Sequence, residues 1–159
     1  MRIAIAGEAP CDLAPVRAAI RRAVRPYRLP RDAEVHVAFV ADEVMRGLNR
    51  RFRGIDRTTD VLSFGEAIPP RDRGEGAAAY LEKRRPENGG RLVLGEVVIS
   101  PEQAARQARR RGKALALEVA FLAAHGALHL LGFDDETPAG YREMLRLGHD
   151  ATRQKSVKR

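Results

Sequence analysis

The chain has 159 residues, 44% hydrophobic and 31% charged, proportions that exclude a wholly disordered or collagen-like polymer and suit one globular domain with its own core. Lysine plus arginine number 29 against 21 aspartates and glutamates, and the net charge of +8 favours a polyanionic partner such as nucleic acid or an anionic membrane surface. A single cysteine, Cys11, excludes an intrachain disulfide and a cysteine-rich zinc site, and it fits a reducing, cytoplasmic setting.

Residues 2–7 alternate weakly and predict a short strand; their apolar run is too short for a signal peptide. Between Asp12 and Arg25, Leu13, Val16, Ile20 and Val24 recur at helical spacing, and Pro26 ends that helix. Residues 34–40 alternate, with Val35, Val37 and Phe39 on one side, which predicts a strand. Asp42 is expected to cap a helix running through Val44, Met45, Leu48 and Phe52 and closing at Gly54. Residues 61–64 read as a short buried strand. Residues 65–90, rich in glycine, proline and charge, read as a long loop with one helical turn near 78–81, a kind of segment that serves as a lid or stays disordered.

Strand character returns over 91–99. Ser100-Pro101-Glu102-Gln103 then carries a capping serine, a first-position proline and a third-position glutamine, and the helix it opens stops near Gly112. A highly apolar helix is expected over 113–131, turned at its end by Gly132. It is long enough to span a bilayer, but Glu118, His125 and His129 are costly in a membrane, so a buried core helix is the reading. Thr137-Pro138 opens a last helix ending near Asp150, followed by a basic tail, 153–159. The expected fold is a single α/β (α+β) domain over 1–152, a small mixed β-sheet packed with about five helices and a site at the end of the central apolar helix.

Chemistry concentrates in residues 125–135. His125 and His129 lie four apart on a predicted helix, hence on one face and one turn apart, the spacing with which two imidazoles grip one metal ion. Gly132 allows the left-handed turn that brings Asp134 or Asp135 back toward the same point. Three protein ligands leave a position open, the mark of a catalytic site rather than a structural one. The competing reading is a pair of core histidines satisfied by local hydrogen bonds. The spacing resembles that of the metzincin proteases, but Gly126 stands where their catalytic glutamate would be, and without that base peptide hydrolysis is disfavoured.

The whole segment, His125-Gly126-Ala127-Leu128-His129-Leu130-Leu131-Gly132-Phe133-Asp134-Asp135, closely resembles the H-G-x-L-H-L-x-G-[YF]-D-H signature of the YbeY family and departs from it at the last position alone. Leu48-Asn49 and the run from Arg53 to Phe64 resemble a second family segment, and Leu94 to Ser100 a third, in order and spacing. The resemblance implies a mixed-sheet α/β fold and a metal-dependent, single-strand-specific endoribonuclease acting in 16S ribosomal RNA 3′-end maturation and ribosome quality control in the cytoplasm. Its partners would be single-stranded RNA, ribosomal RNA and the small ribosomal subunit.

The resemblance implies one Zn2+ per chain, held by His125 and His129, with Asp135 where the family has its third histidine, and it carries the family's arginine over to Arg53. A carboxylate ligand halves the net charge of a zinc centre, makes the metal a weaker Lewis acid, and also admits Mn or Fe. Arg53 is assigned to the scissile phosphate, with Arg50, Arg51 and Arg57 drawing RNA toward it. Without the resemblance, a surface salt bridge from Arg53 to Asp56 or Glu43 is the simpler reading. Two rival functions stand beside the nuclease: a ribosome-assembly factor that binds RNA without cutting it, and a metallohydrolase of another phosphoester or peptide.

Overall fold

The computed structural model describes residues 1–153. Four strands, β1 (Arg2–Ala6), β2 (Glu34–Phe39), β3 (Val61–Gly65) and β4 (Val93–Ile99), form one sheet in the order β1-β2-β4-β3. β1, β2 and β4 run parallel, and β3 pairs antiparallel with β4, so the sheet is mixed as expected. Six helices accompany it: α1 (Ala14–Val24), α2 (Asp42–Arg53), α3 (Ala77–Glu82), α4 (Pro101–Arg111), α5 (Leu115–Leu130) and α6 (Pro138–Thr152).

The period-2 pattern of the strands sorts their side chains onto two faces. Ile3, Val35, Val37, Phe39, Val97 and Ile99 enter the main core with α1, α5 and α6. Ala38, Leu62 and Val98 face the other way and are covered by Met45 of α2. α5 is apolar on nearly every side, and from Glu118 to Leu130 most of its residues are buried, because α1, α4, α6 and the sheet surround it. Among the described residues no single helix is long and apolar enough to cross a membrane.

Several local expectations hold at the level of caps. Ser100 Oγ accepts from Gln103 N, Thr137 Oγ1 accepts from Gly140 N, and Gly54 and Gly112 end their helices in the left-handed region. Others are corrected. Asp42 is the first residue of α2 rather than its cap; Ala41 takes that position, and the Asp42 carboxylate accepts instead from Ser100 Oγ (2.6 Å), Arg106 Nη2 (2.6 Å) and Thr58 Oγ1 (3.0 Å). Distant donors outcompete the local cap. Pro26 ends the α-helix but not the helical path, which continues for one 3-10 turn over Arg25–Tyr27. In the segment 65–90 the helical turn expected near 78–81 is present as α3, but two unexpected 3-10 turns precede it, and its Ala77 and Leu81 are buried in the core. The basic tail beyond residue 153 lies outside the described residues.

Candidate metal centre

The site is assembled where α5 ends. The Leu131 and Gly132 region forms a Schellman turn: Gly132 N donates to His129 O and Phe133 N to Leu128 O, with Gly132 at φ +91°. Phe133 is buried against the core and rings with Tyr27, so the chain is held as it reverses. The reversal carries Asp135 back over the last turns of α5. Its Oδ2 lies 3.5 Å from His125 Nε2 and 3.6 Å from His129 Nε2, and the two Nε2 atoms are 3.1 Å apart. Of the two aspartates the turn leaves eligible, Asp135 joins the group; Asp134 Oδ1 accepts from Glu136 N.

These three donors fit a metal ion. Three ligands of a tetrahedral ion bonded at about 2.0–2.1 Å stand roughly 3.3 Å from one another, and the observed edges of 3.1, 3.5 and 3.6 Å bracket that value. His129 donates Nδ1–H to the Phe133 carbonyl (2.9 Å), which leaves the lone pair on Nε2, facing the group. Burial, reinforced by the neighbouring His129, pushes His125 below the usual imidazole pKa despite the nearby Asp135, and so keeps it in the neutral form that ligates. His125 Nδ1 has no hydrogen-bond partner among the described residues. One nitrogen ligand is therefore oriented by the backbone and the other by packing against Phe121, whose ring lies 5.9 Å away.

Gly126, between the two histidines in the helix, has a packing reason. A Cβ there would stand 2.5 Å from Val97 Cγ1, and Ser63 Oγ donates to the Gly126 carbonyl at 3.0 Å. Only a glycine lets α5 lie this close to β3 and β4, and the same residue removes the base a protease would need.

A cavity of about 410 Å³ opens above the three donors. Arg53 lines it, together with Asp60, Ser63 and Glu66. Arg53 sits in the last turn of α2, just before the Gly54 stop. Buried Asn49 donates Nδ2–H to the Arg57 carbonyl at 2.9 Å and holds the return loop that leads into β3. Asp56 pairs with Arg46 at 3.0 Å, so the surface salt bridge considered for Arg53 does not form, and Arg53 has no ion pair among the described residues. Arg50, Arg51 and Arg57 do not line this cavity; the Arg51 guanidinium lies over the Phe52 ring at 5.3 Å.

Sequence reasoning assigned no role to Asp60, Ser63 and Glu66. The signal was the Thr59-Asp60-Val61-Leu62-Ser63-Phe64 run, where polar residues interrupt a short strand. Glu118 is buried and half satisfied: Oε1 accepts from Arg111 at 3.0 Å, and Oε2 has no partner among the described residues.

Comparison with known proteins agrees with the geometry. A family model described as "Endoribonuclease YbeY" matches residues 12–155. A protein named Endoribonuclease YbeY from Moorella thermoacetica is 44% identical over 113 residues, 71% of this chain and 67% of that protein. Its namesake from Geobacillus thermodenitrificans is 42% identical over 125 residues, 79% of this chain and 74% of that one, and that from Pelotomaculum thermopropionicum 44% identical over 107 residues, 66% and 60%. The solution structure of TM1509 from Thermotoga maritima covers 99% of both chains with a TM-score of 0.53 at 22% identity, a likeness of fold. The chain belongs to the YbeY family.

Proposed function

We propose that this protein is a metal-dependent, single-strand-specific endoribonuclease acting on ribosomal RNA, in 3′-end maturation of the 16S species and in ribosome quality control. The observation that carries the reading is the meeting, in one cavity, of three convergent donors and an arginine with no carboxylate partner among the described residues. The relatives' names point the same way, and the net charge of +8 suits a polyanion.

His125, His129 and Asp135 would hold one divalent ion, zinc by the preference of an imidazole-rich set, with Mn or Fe admitted by the carboxylate. When bound, such an ion supplies Lewis-acid polarisation of a phosphate oxygen and acidifies water. The chain's own residues do the rest. Arg53 pairs its planar fork with the non-bridging oxygens of the scissile phosphate and holds it against the donors. As negative charge builds on the phosphate, a guanidinium already in place stabilises it without reorganising. The Phe133 carbonyl keeps His129 from turning. Arg50, Arg51 and Arg57, outside the cavity, are left with the long-range attraction of RNA.

The experiment is cleavage of a single-stranded oligoribonucleotide and of its duplex by the zinc-loaded protein, with and without chelator. Chelator-sensitive cleavage of the single strand supports the reading. Chelator-resistant RNA binding with no cleavage would favour the assembly-factor reading.

A further inference from the structure

A second cavity, of about 320 Å³, lies beside the first and shares Asp60, Val61, His125 and Asp135 with it. One wall is a single face of α6, where Tyr141, Leu145 and His149 recur four residues apart. His149 stacks on Phe121, ring centroids 4.7 Å apart at 29°, and Tyr141 is half exposed. Arg111 and Lys113 also line the cavity. Arg111 is held by Glu118, whereas Lys113 is exposed and has no ion pair among the described residues. The Asp60 carboxylate is occupied by Val61 N–H and Gln107 Nε2, and Asp135 faces the histidines. Burial and the nearby Lys113, Arg111 and Arg153 push His149 below the usual imidazole pKa, so its ring is neutral near pH 7. The cavity therefore offers flat rings and one uncommitted ammonium.

We propose that this second cavity is a nucleotide subsite, in which one base of a single-stranded RNA stacks on an exposed ring of α6, Tyr141 or the face of His149 turned away from Phe121, while its phosphate pairs with Lys113, one position along the strand from the reacting phosphate. The inference rests on the endoribonuclease reading and deepens it. A base–aromatic stack is tolerant of base identity, since every base has a flat face. It also selects for single strands, because a base inside a duplex has both faces covered already. With aromatic residues at 5% the chain has no extended platform. A single stacking position contiguous with the three donors is enough to set where the strand lies.

The test is binding of a short fluorescein-labelled oligouridylate, read by anisotropy in EDTA so that no cutting intervenes, beside cleavage of the same strand by the zinc-loaded protein. The double variant Tyr141→Ala, His149→Ala is expected to bind at least about fivefold more weakly. The Tyr141→Phe, His149→Phe variant, which keeps the rings, should bind as wild type does and so separates stacking from damage to the fold. Replacing the uracils by abasic residues should weaken wild type to the level of the double alanine variant and leave that variant unchanged. Lys113→Ala should flatten the salt dependence of binding by about 0.7 in the logarithmic slope.

Equal affinity of wild type and double alanine variant for oligouridylate, or an equal loss in both on abasic strands, overturns the subsite. Cleavage by wild type together with such equal affinities would end the subsite alone. Base-dependent binding by a zinc-loaded wild type that never cuts would keep the subsite and end the endoribonuclease reading.

Discussion

The carbonyl oxygen of Phe133 lies 2.9 Å from Nδ1 of His129 and accepts a hydrogen bond from its N–H. Phe133 is also the residue whose N–H closes the Schellman turn onto Leu128. One structural device thus does two things: it reverses the chain so that Asp135 reaches the histidines, and it fixes the tautomer of His129 so that Nε2 faces them with its lone pair. The turn at Gly132 and the ligand set are a single construction.

Asp135→Ala removes the oxygen donor of the group. Protein purified without chelator should fall from about one metal ion per chain to well below that, read by elemental mass spectrometry. Asp135→His, which supplies a third neutral imidazole, should hold zinc at lower free concentration than wild type does. Unchanged metal content in Asp135→Ala would place this carboxylate outside the coordination.

Arg53→Ala should lower kcat on single-stranded RNA by about 100-fold, the usual scale for deleting a preorganised donor to developing charge. Metal content and melting temperature should stay at wild-type values, because Arg53 is exposed and has no ion pair among the described residues. Arg53→Lys should recover part of the rate, since an ammonium keeps the charge and loses the fork. A wild-type rate in Arg53→Ala would remove Arg53 from the mechanism.

Gly126→Ala should destabilise the fold by about 1–3 kcal/mol, the cost of overpacking a filled interior. The added methyl would meet Val97 Cγ1 at 2.5 Å, and Ser63 Oγ, hydrogen-bonded to the same residue's carbonyl, leaves little room for α5 to shift. Thermal or urea unfolding monitored by circular dichroism reads this directly, and a melting temperature equal to wild type would contradict it.

Asp42 links the start of α2 to the start of α4. Burial of its carboxyl opposes ionisation, but donors from Ser100, Arg106 and Thr58 outweigh that effect and hold it below the ordinary carboxylate pKa. A folded pKa below the unfolded one means that the ionised group stabilises the fold above the ordinary carboxylate value, and this contribution is lost as pH falls through the folded value. Urea titrations across the acid range should therefore show a shallower loss of stability in Asp42→Asn than in wild type. At neutral pH the variant should be less stable by about 1–3 kcal/mol, the scale for removing hydrogen bonds to a charged group. Parallel acid profiles would show that Asp42 titrates alike folded and unfolded.

Much of the architecture was legible locally, and the reasons are local. β1 and β2 were readable because apolar residues alternate, β3 because a short apolar run marks a buried strand, and the α4 start because Ser100, Pro101 and Gln103 each satisfy a specific need of a helix N-terminus. Misreadings came where a distant partner outbid a near one. Asp42 looked like a cap, yet its donors come from residues 58, 100 and 106. In the glycine- and proline-rich stretch the helical turn at 78–81 was legible, but not that its Leu81 and Ala77 find a core to enter.

The sequence by itself determined that His125 and His129 share a helix face, that the chain reverses at Gly132, and that the YbeY signature departs at Asp135. Helical period and the conformational freedom of glycine act over a few residues, so a linear reading captures them. Tertiary structure alone decided that Asp135 and not Asp134 joins the histidines, that Arg53 lines their cavity free of Asp56, and that the α6 face of Tyr141 and His149 stands beside them. Those are contacts between α2, α5, α6 and the turn after α5, set by how the core packs, and no periodicity within one element encodes them.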